Sequence, residues 1–527
     1  MNRRFFNRIP SLLIVGCLSF IFILSPVVYL MHGTVNSPDE RATELFATSW
    51  AERRELKIPV SIQQPESYPL FARSTQPHGQ ELVPSGFVGQ PIFFGSLIGV
   101  FGAQSIFYIT ILLTALAAIA WWFIMCQIFG RPVADYSFLF FLFHPAVLYY
   151  SARGLFPNMA MLDLLIMSIA SGWYVWNIRT HARENLQKCL MVSLCIAATV
   201  GAIAFRPPEA LMVYAWICIA MLIFGSRAVL KFACMIVAML MVLAGIFWFA
   251  RSSGNFAGSY SFVHITSLTQ VLFPFGIHIA LVWHTAIRFI VKLFSPWVLV
   301  SSTGLLVWLW RLYKYKEFDR AVAGYVCVIV PVSFWLFIVY GSWSISDNPA
   351  DASAVTLGSS YVRYWLPHLI FRMPFAAYLI HLIIVHWKGF RRWMLVAALS
   401  LSVIGGVWRA SDGVDGLIAV VQSVREAGII RTEVLERLPK GSVLAVRAWD
   451  KIFVGYVPVL QPFPRDVRTL SAARELLLRG GVPVWAFIET LAEVDERWLR
   501  DNKIFAKKIA PYGVHTLYEL QLWNVAQ

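Results

Sequence analysis

A chain of 527 residues that is 58% hydrophobic, with a mean hydropathy of +0.65, is too apolar for a soluble protein of its length. Apolar runs of ~18 residues or more recur, each long enough to cross a bilayer, and they lack the strand-type alternation of a membrane β-barrel. Residues 410–527 hold 15 Lys+Arg against 14 Asp+Glu, a net of +1, whereas the other 409 residues hold 29 against 15, so +14 of the formal charge of +15 belongs to the apolar part. There it reads as topology signal and anionic headgroup contact with the lipid bilayer, not as nucleic-acid binding.

In chain order, "MNRRFFNR" precedes an apolar run at 11–31 that is long and has no small-residue cleavage site after it, so it reads as an uncleaved first span. Hydropathy predicts about eleven spans, near 11–31, 105–129, 134–150, 159–177, 189–205, 209–225, 230–250, 296–312, 318–341, 364–387 and 391–409. Cationic clusters fall in every alternate short connection: Arg3, Arg4 and Arg8; Arg131; Arg179, Arg183 and Lys188; Arg227 and Lys231; Arg311, Lys314, Lys316 and Arg320; Lys388, Arg391 and Arg392. Positive charge is retained on the cytoplasmic side, which predicts a cytoplasmic N-terminus and, from an odd number of spans, a C-terminus outside. All seven cysteines lie in apolar runs, without the spacing of a disulfide framework or a metal site.

Three connections are long. Residues 32–104 form a first outer loop, whose apolar, Gly- and Pro-punctuated end "PSGFVGQPIFFGSLIGVFG" reads as an interface helix. Residues 251–295 form a second, with the amphipathic stretch "IHIALVWHTAIRFIVKLF", and residues 342–363 a third. The fold class expected is thus an all-α polytopic membrane domain over 1–409, followed by a soluble α/β domain over 410–527. In the latter, "GSVLAVRA" and "VPVWAFIE" read as buried strands, and "SAARELLLRGG" and "ETLAEVDERWLRDN" as helices. No internal repeat is visible.

The stretch "VNSPDERATELF" sets Asp39 and Glu40 just beyond the first span. Ser37-Pro38-Asp39-Glu40 has the form of a capping box with Pro at the first helical position, worth ~0.5–2 kcal/mol of helix stability without any chemistry. The same placement holds Asp39 rigidly, with the helix dipole keeping it ionised, where it can align or deprotonate a bound hydroxyl. Such a weak base suffices when the leaving group is good and positioning does much of the work.

"NSPDERATELFATSWAERRELKIP" resembles the first-loop motif of the GT-C membrane glycosyltransferases, in the branch of the protein O-mannosyltransferases and the lipid A aminoarabinose transferase. "LVPSGFVGQPIFFGSLIGVFG", "HPAVLYYSARGLFPNMAMLDLLI", "AIAFRPPEALMVYAW" and "YVRYWLPHLIF" resemble further family segments in the same order, and together they cover most of 1–410. The resemblance implies a polyprenyl-phosphate-linked sugar as donor, and transfer with inversion to an acceptor hydroxyl of a glycan, lipid or protein. Asp39 would be the general base, with Glu40 as its catalytic partner or as a helix cap. A hexosyl- or pentosyltransferase of the bacterial inner membrane, its C-terminal domain periplasmic, is what the family implies. Asn158 departs from the pattern, standing where many members carry Asp after Pro157, so a metal held there is not expected. A divalent cation stays open as a cofactor.

Arg153, Arg206 and Arg363 are the candidates for the donor phosphate. Against this stand bland roles: headgroup snorkelling for Arg153, a structural pair with Glu209 for Arg206, and interface anchoring for Arg363. Asp163, inside a predicted span, is a weaker candidate, and His78, His144, His264, His278 and His284 have no metal-ligand spacing. The rival functions are a transporter or lipid-linked sugar flippase, and a non-catalytic scaffold that presents the C-terminal domain.

Overall fold

The computed structural model describes residues 10–31, 33–177, 185–224, 268–316, 318–345, 354–386 and 391–523, with positions 229, 232, 233, 236, 237, 240 and 241 between them. Arg3, Arg4, Arg8, Arg179, Arg183, Arg227, Lys231, Cys234, His264, Lys388, most of the 230–250 span and the start of the second long loop lie outside the described residues. The chain divides into two units. The first draws on Met1–Tyr29, Phe107–Ile246 and Phe262–Ala419, the second on Leu30–Ile106, Phe247–Ser261 and Val420–Gln527.

The first unit is helical because apolar side chains this dense leave the backbone no water to bond, and a helix satisfies its own amides. Among the described residues of the whole chain, seven helical stretches are long and apolar enough to cross a membrane: Ser11–Leu30, Ala103–Ile128, Pro157–Trp176, Leu186–Phe205, Ile279–Tyr315, Arg320–Gly341 and Leu366–His386. Arg131–Leu142 and Pro145–Ala152 form an eighth if taken as one broken span, bent by 49°. His144 sits at that break, where its ring Nδ1 accepts the Ala146 amide at 3.2 Å and starts the second half. The spans read at 209–225 and 391–409 correspond to the shorter helix Pro207–Ile223 and to Arg391–Ser411. The chain is an integral membrane protein.

The amphipathic end of the second long loop does not stop short of its span. Ile279–Ala286 runs through a π-helical turn, Ile287–Lys292, into Leu293–Tyr315, and the sharpest irregularity is at Phe294, two residues before Pro296. Close packing of the helices needs small residues: a Cβ on Gly304 would fall 1.9 Å from the Phe375 carbonyl oxygen.

The second unit is built on two sheets. Strands β1 (Ile58–Pro59), β2 (Thr75–His78) and β3 (Glu81–Pro84) form a small antiparallel sheet in the order β1-β3-β2. Strands β4 (Val443–Val446), β5 (Val459–Leu460), β6 (Val484–Glu489), β7 (Ile504–Tyr512) and β8 (His515–Leu522) form the larger one, ordered β5-β4-β6-β8-β7. β4 and β6 are parallel, and β7–β8 is a hairpin turning at Gly513, whose φ is +63°. Alternate residues go to opposite faces. Val443, Ala445, Val484, Ala486 and Ile488 meet Leu470 and Leu476 of the helix Val467–Arg479, whereas Leu444, Val446, Trp485 and Phe487 meet Val434 and Phe453. Burial on both faces is why these strands read as unbroken apolar runs. The first outer loop contributes to both cores, Leu70 to one, Ala72 and Leu82 to the other.

Candidate functional site

In the second unit, the helix Pro38–Arg53 begins as its sequence demands in all but one respect. Ser37 is the N-cap with extended backbone, Pro38 opens the first turn, and Asp39 and Glu40 supply the negative charge that the N-terminal dipole favours. The Ser37 half of the capping box does not form, since Ser37 makes no side-chain cap bond, and Glu40 is buried, only 4% exposed. Asp39 is half-buried, and its Oδ1 accepts the Ser74 hydroxyl at 2.5 Å. Ser74 has a φ of +62°, in the left-handed region that a non-glycine residue occupies at a cost. It is held there by a tight turn in which the Thr75 amide and hydroxyl both donate to the Ala72 carbonyl, at 3.1 and 2.7 Å.

In the first unit, the three predicted arginines are gathered along two aromatic rings. The guanidinium carbons of Arg153 and Arg363 lie 4.8 and 4.6 Å from the Phe156 centroid. Those of Arg363 and Arg206 lie 5.1 and 4.8 Å from that of Tyr364. Arg153, which follows the helix Pro145–Ala152, also donates to the Tyr149 hydroxyl at 2.7 Å. Arg206 is the N-cap of Pro207–Ile223 and meets Glu209, one turn on, at 2.5 Å. The Tyr340 hydroxyl completes this group, accepting from Arg206 at 2.9 Å and donating to Glu209. The expected Arg206–Glu209 pair is therefore present, and Arg206 also joins the aromatic ladder.

The buried Arg153 and Arg206 and the half-buried Arg363 are tolerable here because π-faces and phenolic oxygens stand beside them. Asp415 is near: its Oδ2 accepts the Thr356 hydroxyl at 3.1 Å, and a Cβ on Gly358 would meet both Asp415 and the Tyr149 hydroxyl. Guanidiniums gathered along shared rings offer planar, forked donors of the kind that an anion takes. Sequence reasoning missed Tyr149, Phe156, Tyr340 and Tyr364 because single aromatics in an aromatic-rich chain carry no spacing signal. Ser74, 35 residues from Asp39, carried none either.

The sequence matches no protein-family model and no curated protein. Its fold does match solved structures. ArnT from Cupriavidus metallidurans in the apo state is similar at a TM-score of 0.56 with 12% identity, over 95% of this chain and 97% of that one. The same protein bound to undecaprenyl phosphate gives 0.53 and 13% over the same shares. The archaeal oligosaccharyltransferase AglB from Archaeoglobus fulgidus, in complex with an inhibitory peptide and a dolichol-phosphate, gives 0.50 and 10%, over 98% of this chain and 74% of that one.

The protein has the GT-C fold. On this fold the remaining candidates fall in modest places. Asp163 is fully buried and accepts the Thr114 hydroxyl at 2.7 Å. Asn158, in the first turn of Pro157–Asn177, is 2% exposed. Among the described residues no three His, Cys, Asp or Glu side chains converge as metal ligands.

Proposed function

We propose that the protein is a glycosyltransferase that moves a sugar from a polyprenyl-phosphate donor to an acceptor hydroxyl on the outer face of the membrane, with inversion. The observation that carries this reading is the gathering of Arg153, Arg206 and Arg363 along Phe156 and Tyr364, since a lipid phosphate departs well only where fixed cations receive its charge. The GT-C neighbours bound to undecaprenyl phosphate and to dolichol-phosphate support the donor class. The acceptor oxygen attacks the anomeric carbon, the bond from that carbon to the phosphate oxygen breaks, and the electron pair leaves with the polyprenyl phosphate. Asp39 takes the acceptor proton; Glu40 acts from the interior beside it, shaping the charge of the helix start. The alternating cationic connections support a cytoplasmic N-terminus, a periplasmic C-terminal domain and a place in the bacterial inner membrane.

The test has two arms. A deletion strain should accumulate the lipid-linked sugar, and wild-type protein should clear it from isolated membranes. Asp39→Asn should slow that clearance by roughly 10²–10⁴-fold while folding and membrane insertion persist. Full clearance by Asp39→Asn would defeat the assignment, and a strain that accumulates no lipid-linked sugar would favour a transporter or a scaffold.

A further inference from the structure

The residues around Asp39 are fastened to one short segment of the C-terminal sequence, within the same unit. Asp450 is fully buried and is ringed by Arg73: the Arg73 amide donates to Oδ2 at 2.8 Å, Nε to Oδ1 at 3.0 Å, and a terminal nitrogen to Oδ1 at 2.6 Å. The same terminal nitrogen donates to the Ala448 carbonyl at 2.7 Å. Ser74, the next residue, donates to Asp39. Lys451 Nζ donates to the Asn36 carbonyl at 2.6 Å, before the helix that carries Asp39. Behind Asp39, Arg41 donates from Nε and a terminal nitrogen to the Val454 carbonyl, at 3.2 and 2.9 Å. Gly455 follows with φ +87°, and a Cβ there would meet Leu45 at 2.5 Å, so the segment presses on the helix itself.

Each hold has an ordinary reading as glue between a loop and a sheet. Their convergence is less ordinary. Asn36, Arg41 and the Arg73–Ser74 pair are the residues before Asp39, after it and hydrogen-bonded to it, and all are tied to Asp450–Val454. Ser74 takes its left-handed backbone from the turn between Ala72 and Thr75, and that turn aims its hydroxyl at Asp39.

We propose that the buried Asp450–Arg73 pair, acting through Ser74, positions the Asp39 carboxylate, so that the C-terminal sequence is part of the transfer machinery and not a separate appendage. This rests on the reading of Asp39 as the base. Arg73, Ser74 and Asp450 are positioning residues; none is assigned contact with substrate.

The test uses full-length protein in detergent and the lipid-linked sugar extracted from deletion-strain membranes. Ser74→Ala and Asp450→Asn are expected to lower kcat by roughly 100-fold, as a small misplacement of a base does, with KM for the lipid-linked sugar unchanged. Ser74→Asn should recover most of the lost rate, because Asn accepts a positive φ and keeps a donor. Arg73→Gln, on the more exposed side of the pair, covers the case in which Asp450→Asn does not fold. Wild-type kcat in Ser74→Ala and Arg73→Gln, with Asp39→Asn inactive, would overturn the positioning claim and leave the base intact. Loss of rate matched by loss of thermal stability, with no recovery in Ser74→Asn, would also overturn it. Full activity in Asp39→Asn would instead remove the reading on which it stands.

Discussion

The two units hold their candidate functional groups by different physical means. In the second, a carboxylate at a helix start is fixed by hydrogen bonds: Ser74 to Asp39, Arg73 to Asp450, Lys451 to Asn36. In the first, three guanidiniums lie against aromatic faces and phenol oxygens, with Glu209 in salt-bridge contact with Arg206. The difference follows from the surroundings. At the half-buried Asp39 a hydrogen bond still competes with solvent, so several must act together to define one geometry, one of them closing on the buried Asp450. In an apolar bundle a bare cation is costly, and a ring supplies compensation without adding a negative charge that would cancel the attraction for an anion. Helix packing alone would satisfy neither group.

The comparison is broken most severely at Glu209. Glu209→Ala leaves the buried Arg206 with one partner fewer and should destabilise the helical unit by about 3–5 kcal/mol, read as a fall in thermal unfolding midpoint in detergent. Unchanged stability would mean that Arg206 is sustained without Glu209. Next in size is Arg363→Met, which should weaken binding of undecaprenyl phosphate to the purified protein by about 1.5–3 kcal/mol, the worth of hydrogen bonds to a charged group. Arg363→Lys should recover only part of this, since a point charge lacks the guanidinium fork. Phe156→Leu removes the face that Arg153 and Arg363 share and should cost about 1–2 kcal/mol in the same binding measurement, with Asp39 untouched.

The smallest effect belongs to the water-facing side. Burial pushes the Glu475 carboxyl up, but the Ser67 hydroxyl, the amides of Glu66 and Ser67, and Arg479 outweigh it and hold the carboxyl below its ordinary value. A depressed carboxyl stabilises the fold above its unfolded pKa, and that contribution is lost as pH falls through the folded value, so the effect appears below about pH 4. Glu475→Gln should remove only a few tenths of a kcal/mol at neutral pH, after solvent screening, and flatten the acid side of the unit's stability curve.

The C-terminal strands β4 and β6 and both expected helices there were legible because a buried strand and an amphipathic helix each write a local pattern. The hairpin β7–β8 was not read, although "PYGVHT" offered a turn signal at Gly513. Its strand Ile504–Tyr512 lies at the sheet edge and is only partly buried, so the apolar alternation is weak. Arg206 with Glu209 was readable from its spacing of one helical turn.

By itself the sequence determined the class, the helical membrane part, the α/β tail and the candidate charged residues, because each depends on hydropathy or on spacing within one segment. Only the tertiary structure decided that residues 58–84 complete the C-terminal cores, that Ser74 meets Asp39, that Arg73 meets Asp450, and that Arg153, Arg206 and Arg363 share two rings. The physical reason is separation along the chain. Contacts between residues 35 or 377 positions apart leave no periodicity to read, and whether a polar side chain faces water, a ring or a carboxylate is settled by the packing of elements far from it in sequence.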